Sequence, residues 1–146
     1  MPGTVPGTTA EEGKFMGRMI KAGIIQMATK LPTSASCDEH RASMIESHLK
    51  YIEEAGTKGV QMLCMQEVFT GPYFCPSQDT KWYGLTEKIP DGPTTKLMCD
   101  LAKKHKMVIV VPIYVEEMTG VFYNTAAVID ADGKYLGKYR KNHIPQ

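Results

Sequence analysis

The 146-residue chain has little surplus of charge of either sign: 17 lysines and arginines face 16 aspartates and glutamates, for a net charge of +1. It has no basic excess that would grip a nucleic-acid backbone, and no acidic run of the kind that makes a solvating tail. No stretch approaches the roughly 18 consecutive apolar residues that a membrane-spanning helix needs. The first residues, MPGTVPGTTAEEGK, lack the apolar centre of a signal peptide, which points to a cytoplasmic rather than a secreted chain. Cysteine is sparse, with thiols at 37, 64, 75 and 99, no C-x-x-C pair, and no Cys/His set at zinc spacing. Scattered thiols in a cytosolic chain are usually reduced and partly buried, so neither a disulfide framework nor a metal centre is expected. No internal repeat or low-complexity block lies beyond the N-terminus.

What is present suits one soluble globular domain. Hydrophobic residues make up 42% of the chain and charged residues 23%, enough to bury a core at this length. The Pro, Gly and Thr content of residues 1–17 predicts a flexible tail, leaving 18–146 as the folded part. Met19 to Met27 (MIKAGIIQM) is an apolar, Ile-rich run that reads as a buried strand. Asp38 is placed to cap a helix whose apolar face is Ala42, Ile45, Leu49 and Ile52, and Gly56 or Gly59 ends it. Val60 to Met65 (VQMLCM) is apolar on both alternating sets except for Gln61, the pattern of a strand covered on both faces. A long polar-aromatic segment, Glu67 to Pro93, follows. A connection this long is usually functional or carries short local structure.

Thr94 is then expected to cap a second helix with a stripe of Leu97, Met98, Leu101 and Ala102, and Lys103, Lys104 and His105 suit its C-terminal end. Met107 to Ile113 (MVIVVPI) is a third strand. After a turn at Thr119-Gly120, Val121–Ile129 and Lys134–Tyr139 flank Asp132-Gly133, a two-residue hairpin signal. The order β-α-β-α-β-β-β predicts an α/β layered fold with a mixed sheet. The chain stops at KNHIPQ just after a strand with no covering helix, which reads as a truncated domain.

Several residues have a chemical reading beside a plain one. Glu67 directly follows the strand VQMLCM, at the carboxyl end where open α/β sheets place ligands. It reads either as a general base with a burial-raised pKa or as a solvated loop acid. Lys141, just past the strand KYLGKY, reads either as an ammonium that stabilises charge on a substrate oxygen or as part of a basic surface cluster. His143 reads as a substrate contact, a proton carrier or a plain loop residue. Asn124 is an odd residue for a buried strand and must satisfy its amide locally, most simply on neighbouring backbone. Tyr73, Phe74 and Trp82 line a pocket or pack the loop onto the sheet; spacing does not decide between them.

These residues sit in a recognisable ordered set. It comprises Ala22-Gly23-Ile24-Ile25-Gln26, Met65-Gln66-Glu67, Gly71-Pro72-Tyr73-Phe74, Ile89-Pro90-Asp91-Gly92-Pro93-Thr94-Thr95, Pro112-Ile113, Tyr123-Asn124-Thr125-Ala126, and the run Gly137 to Pro145 (GKYRKNHIP). The set resembles the nitrilase superfamily, also called carbon–nitrogen hydrolases, and within it is most similar to the β-ureidopropionase (N-carbamoyl-β-alanine amidohydrolase) branch. The resemblance implies a four-layer α-β-β-α sandwich, of which this chain would be the N-terminal half, and a homo-oligomeric parent. It implies a Glu–Lys–Cys catalytic set, with Glu67 and Lys141 on the glutamate and lysine positions. None of Cys37, Cys64, Cys75 or Cys99 lies in the family's nucleophile motif; Cys75, in the loop after Glu67, is a poor substitute. Tyr73 and His143 become candidate substrate contacts and Asn124 a structural neighbour of the site. The implied substrate is a small N-carbamoyl compound or amide, with no metal or organic cofactor. Simple amidase or nitrilase chemistry is the near alternative, and a non-catalytic interaction module the distant one.

Overall fold

The computed structural model describes residues 17–144. All of the expected tail except Gly17 lies outside the described residues, as do Pro145 and Gln146. Five strands and two helices follow in the expected order: β1 (Ala22–Ile25), α1 (Cys37–Thr57), β2 (Met62–Met65), α2 (Pro93–His105), β3 (Val108–Met118), β4 (Val121–Ile129) and β5 (Tyr135–Arg140). They form one mixed sheet in the order β1-β2-β3-β4-β5. The first three strands are parallel, joined through the helices; the last two are added antiparallel. Parallel neighbours need a crossover and antiparallel ones only a turn, so the helices fall early in the chain and the hairpins late.

Both helices cover the same face of the sheet. Leu63, Met65, Ile109, Val111, Ile113, Val115, Ala127 and Ile129 are buried there against Ile52, Met98, Leu101 and Ala102. Each such large aliphatic side chain contributes about 1.5–3 kcal/mol when fully buried. The other face is open among the described residues. Ile24, Cys64, Val110 and Val128 lie in register across it, with Ile24 80% exposed and Met62 43% exposed. The double coverage expected for VQMLCM is therefore not found: Leu63 and Met65 are covered by helices, whereas Met62 is exposed and Cys64 half-buried. β1 is likewise shorter than expected, and Met19 and Ile20 lie exposed before it.

Local details also differ from the sequence expectations. Ser36, not Asp38, caps α1, through a reciprocal pair in which Glu39 N donates to Ser36 Oγ and Ser36 N donates to Glu39 Oε2. Asp38 instead lies in the first turn and pairs with Arg41. The buried residues of α1 are His40, Met44, His48, Ile52 and Ala55; Ile45 and Leu49 are only partly buried and Ala42 is exposed. The helix is covered on a second side, where the rings of His40 and His48 meet Trp82 and Phe69 edge-on. Helix α2 starts at Pro93 with Gly92 as its cap, so Thr94 falls inside the first turn. The last hairpin turns over Asp130–Lys134 rather than two residues, with Gly133 at φ +87°.

The long segment between β2 and α2 has its own short structure, 3-10 turns at Cys75–Ser77 and Thr80–Leu85. It is tied to β3 by Phe69 N donating to the Pro112 carbonyl and Glu87 N donating to that of Tyr114. The buried Glu87 carboxylate accepts from Thr94 N at 2.9 Å and Thr94 Oγ1 at 2.5 Å, and lies 3.3 Å from Arg41 Nε. One carboxylate thus joins α1, the loop and the start of α2. Gly92 is required for this closeness, since a Cβ there would lie 2.4 Å from the Lys88 carbonyl and 2.8 Å from Glu87 Oε2.

Candidate active site

Glu67 is aimed by a break in the strand pattern. β2 ends at Met65, and Gln66 Oε1 accepts the Met27 backbone N–H at 2.6 Å, joining the ends of β1 and β2. Val68 then takes a left-handed backbone, φ +43°, a strained conformation for a β-branched residue. That turn buries Val68 and Phe69 and leaves the Glu67 side chain 41% exposed. The burial expected of Glu67 is therefore absent among the described residues, because the carboxylate stands at the rim of the open face.

Lys141 arrives from the opposite edge of the sheet. It follows β5 directly, and its backbone N–H donates to the Asn124 carbonyl at 2.9 Å, extending the ladder by one step. Asn124 and Lys141 are cross-strand neighbours, and neighbours in an antiparallel pair project to one face. Lys141 Nζ lies 2.5 Å from Glu67 Oε1, and Asn124 Nδ2 donates to the same oxygen at 2.6 Å. Three residues from three elements thus meet, although Lys141 is 74 positions and Asn124 57 positions from Glu67.

The contact with Glu67 holds the Lys141 pKa above the ordinary lysine value. Lys141 is therefore a fixed cation at neutral pH and cannot serve as a base. Tyr73 borders a 430 Å³ cavity with Glu67, Gln26 and Gly71. Its phenol is held above the usual range, chiefly by contact with the Cys75 thiol, then by burial and the charges of Cys75 and Glu67. A smaller cavity of 140 Å³ is lined by Asn124, Cys75, Phe74, Tyr114 and Phe122. Burial pushes the Tyr114 phenol up to about 12, so it remains a neutral donor.

The sequence-derived site is thus assembled in part. Glu67, Lys141 and Asn124 touch, and Tyr73 faces the same cavity as Glu67. His143 is exposed and makes no hydrogen bond among the described residues, so it is not brought into the group. Asn124 is half-buried, and its amide serves Glu67 rather than neighbouring backbone. Sequence reasoning missed the anchoring role of Gln66 and the nearness of Cys75 to Tyr73. A Gln at a strand end has no pattern of its own, and the Cys75 contact depends on how the loop folds back. Among the described residues no three His, Cys, Asp or Glu side chains are grouped to hold a metal ion, and no helix is long and apolar enough to cross a membrane.

Residues 21–146 match the carbon-nitrogen hydrolase family model. The chain belongs to the carbon–nitrogen hydrolase family. It is 37% identical over 131 residues to a β-ureidopropionase of Arabidopsis thaliana, covering 88% of this chain and 32% of that relative. To an N-carbamoylputrescine amidase of Solanum lycopersicum it is 34% identical, covering 82% of this chain and 40% of that relative. The crystal structure of a carbon-nitrogen hydrolase from Helicobacter pylori G27 superposes with a TM-score of 0.71 at 29% identity, over 86% of this chain and 40% of that one. This chain therefore spans between about a third and two-fifths of the length of these three carbon–nitrogen hydrolases.

Proposed function

We propose that this chain supplies the base and the oxyanion-stabilising cation of an enzyme that hydrolyses the C–N bond of an N-carbamoyl amino acid or amine. The observation that carries the reading is the 2.5 Å contact between Lys141 and Glu67, brought from distant segments onto the open face. In this reading the nucleophilic cysteine comes from outside these 146 residues. Glu67 takes the thiol proton, and the thiolate attacks the carbamoyl carbon. Negative charge grows on the carbonyl oxygen, where the Lys141 ammonium stabilises it. The C–N bond breaks, the proton passes from Glu67 to the leaving amine, and the enzyme holds an S-carbamoyl thioester. Glu67 then activates a water that releases it. None of these steps draws on a metal or an organic cofactor.

The names of the relatives support a carbamoyl substrate. N-Carbamoyl-β-alanine and N-carbamoylputrescine share the carbamoyl group and differ in the charge of the far end, which a pocket arginine or a pocket acid would distinguish. We place the complete enzyme in the cytoplasm, consistent with four free thiols, and expect a homo-oligomer. The test is ammonia release from N-carbamoyl-β-alanine, N-carbamoylputrescine and a simple amide. The complete enzyme should turn over a carbamoyl substrate best, and the 146-residue chain alone none of the three. Preference for the simple amide would move the reading to an amidase, and turnover by the isolated chain would refute the assignment of the nucleophile.

A further inference from the structure

We propose that Asn124 is a positioning residue that decides which oxygen of Glu67 acts as the base. The inference rests on the reading of Glu67 as that base. A glutamate carboxylate has two equivalent oxygens, and its terminal torsion is broad and roughly two-fold. Left alone, either oxygen could accept a proton. Here the equivalence is broken. Oε1 accepts Asn124 Nδ2 at 2.6 Å and the Lys141 ammonium at 2.5 Å, whereas Oε2 carries no hydrogen bond among the described residues. A carboxylate only accepts, so Asn124 must present its NH2 group to it. With both donors on Oε1, the proton taken from a nucleophile goes to Oε2.

Two features single out Asn124 over a passive neighbour. Its side chain holds Glu67 while its backbone carbonyl receives the Lys141 N–H at 2.9 Å, so one residue registers both members of the pair. The donor is also neutral. A second cation at this point would favour the charged carboxylate far more strongly and weaken the base. An aspartate of nearly the same shape would set two carboxylates at 2.6 Å and drive Glu67 off its partner.

The test has two arms. In the 146-residue chain, the Asn124 side-chain amide signals should move with pH in a single titration that vanishes in E67Q. Amide signals that do not titrate in the wild-type chain overturn the proposal, whatever the activity. In the complete enzyme, N124A should lower kcat about 10- to 100-fold with little change in KM and should displace the acid limb of the pH–rate profile. N124Q, which keeps an amide donor, should recover part of kcat, whereas N124D should not. A role in folding alone would leave the acid limb where it is, and that result refutes the inference. E67Q in the same enzyme separates the two claims. If E67Q is inactive while N124A keeps full kcat and an unchanged profile, only the role of Asn124 falls; if E67Q is active, the reading of Glu67 as the base falls.

Discussion

At the scale of single residues, one contact links Glu67 and Lys141 in both chemistry and titration. The Lys141 pKa is raised by its hydrogen bond to Glu67. The stabilisation this represents is fully present below the ordinary lysine value of about 10.4 and is lost as pH rises through the higher folded value. Glu67→Gln should therefore bring the Lys141 midpoint down toward that ordinary value, measured by NMR at Nζ; an unmoved midpoint would mean that the contact does not form in solution. Glu67 and Lys141 were legible in the sequence because each directly follows a strand and sits in an ordered motif. The sharing of a single carboxylate oxygen was not legible, since it depends on the register of β4 against β5 and on the left-handed turn at Val68. Asn124 reads as out of place in a strand and, through the family resemblance, as a neighbour of the site, but nothing local shows that its partner lies 57 positions away. His143 belongs to the same motif as Lys141, but it lies beyond the ladder that fixes Lys141 and stays exposed.

At the scale of elements, the loop between β2 and α2 is held by one buried carboxylate. Glu87→Ala removes two hydrogen bonds to Thr94 and the nearby Arg41 partner, and should cost about 3 kcal/mol in denaturant unfolding. A loss under about 0.5 kcal/mol, the range of ordinary surface changes, would show that Glu87 does not anchor the loop. Helix α1 carries a second testable group. Burial lowers the His48 pKa, although its contact with the Met44 carbonyl acts the other way. The unfolded chain therefore takes up the proton first, and stability should decline as pH falls below about 6.5 toward the folded value. His48→Asn, whose Nδ2 takes the place of the imidazole Nδ1, keeps a donor for the Met44 carbonyl and should flatten that part of the Tm-versus-pH curve; an unchanged slope would assign it to another group.

The helices themselves were legible from spacing, but their faces and caps less so. Ser36-Cys37-Asp38-Glu39 holds both the reciprocal cap that forms and, two residues on, an acid that could cap alone. Burial of His40 and His48 was hidden because a polar residue at helical spacing reads as solvent-facing until the loop that covers it is folded.

At the scale of the molecule, element order and the mixed sheet follow from apolar periodicity and turn residues. The second face of the sheet departs from the sequence expectation. An apolar alternate set records that a face becomes covered, not what covers it, and in this chain Ile24 and Met62 are exposed. That same face carries Glu67, Asn124 and Lys141, so the candidate site lies at the edge of an apolar surface. Covering this surface would exclude water and strengthen the charge interactions on which the proposed chemistry depends. The most direct measurement is the steady-state rate of carbamoyl hydrolysis by the complete enzyme carrying Glu67→Gln or Lys141→Met. Each variant should lose about 10²–10⁴-fold in kcat while remaining folded. Either variant hydrolysing N-carbamoyl-β-alanine at the unaltered rate would contradict the account.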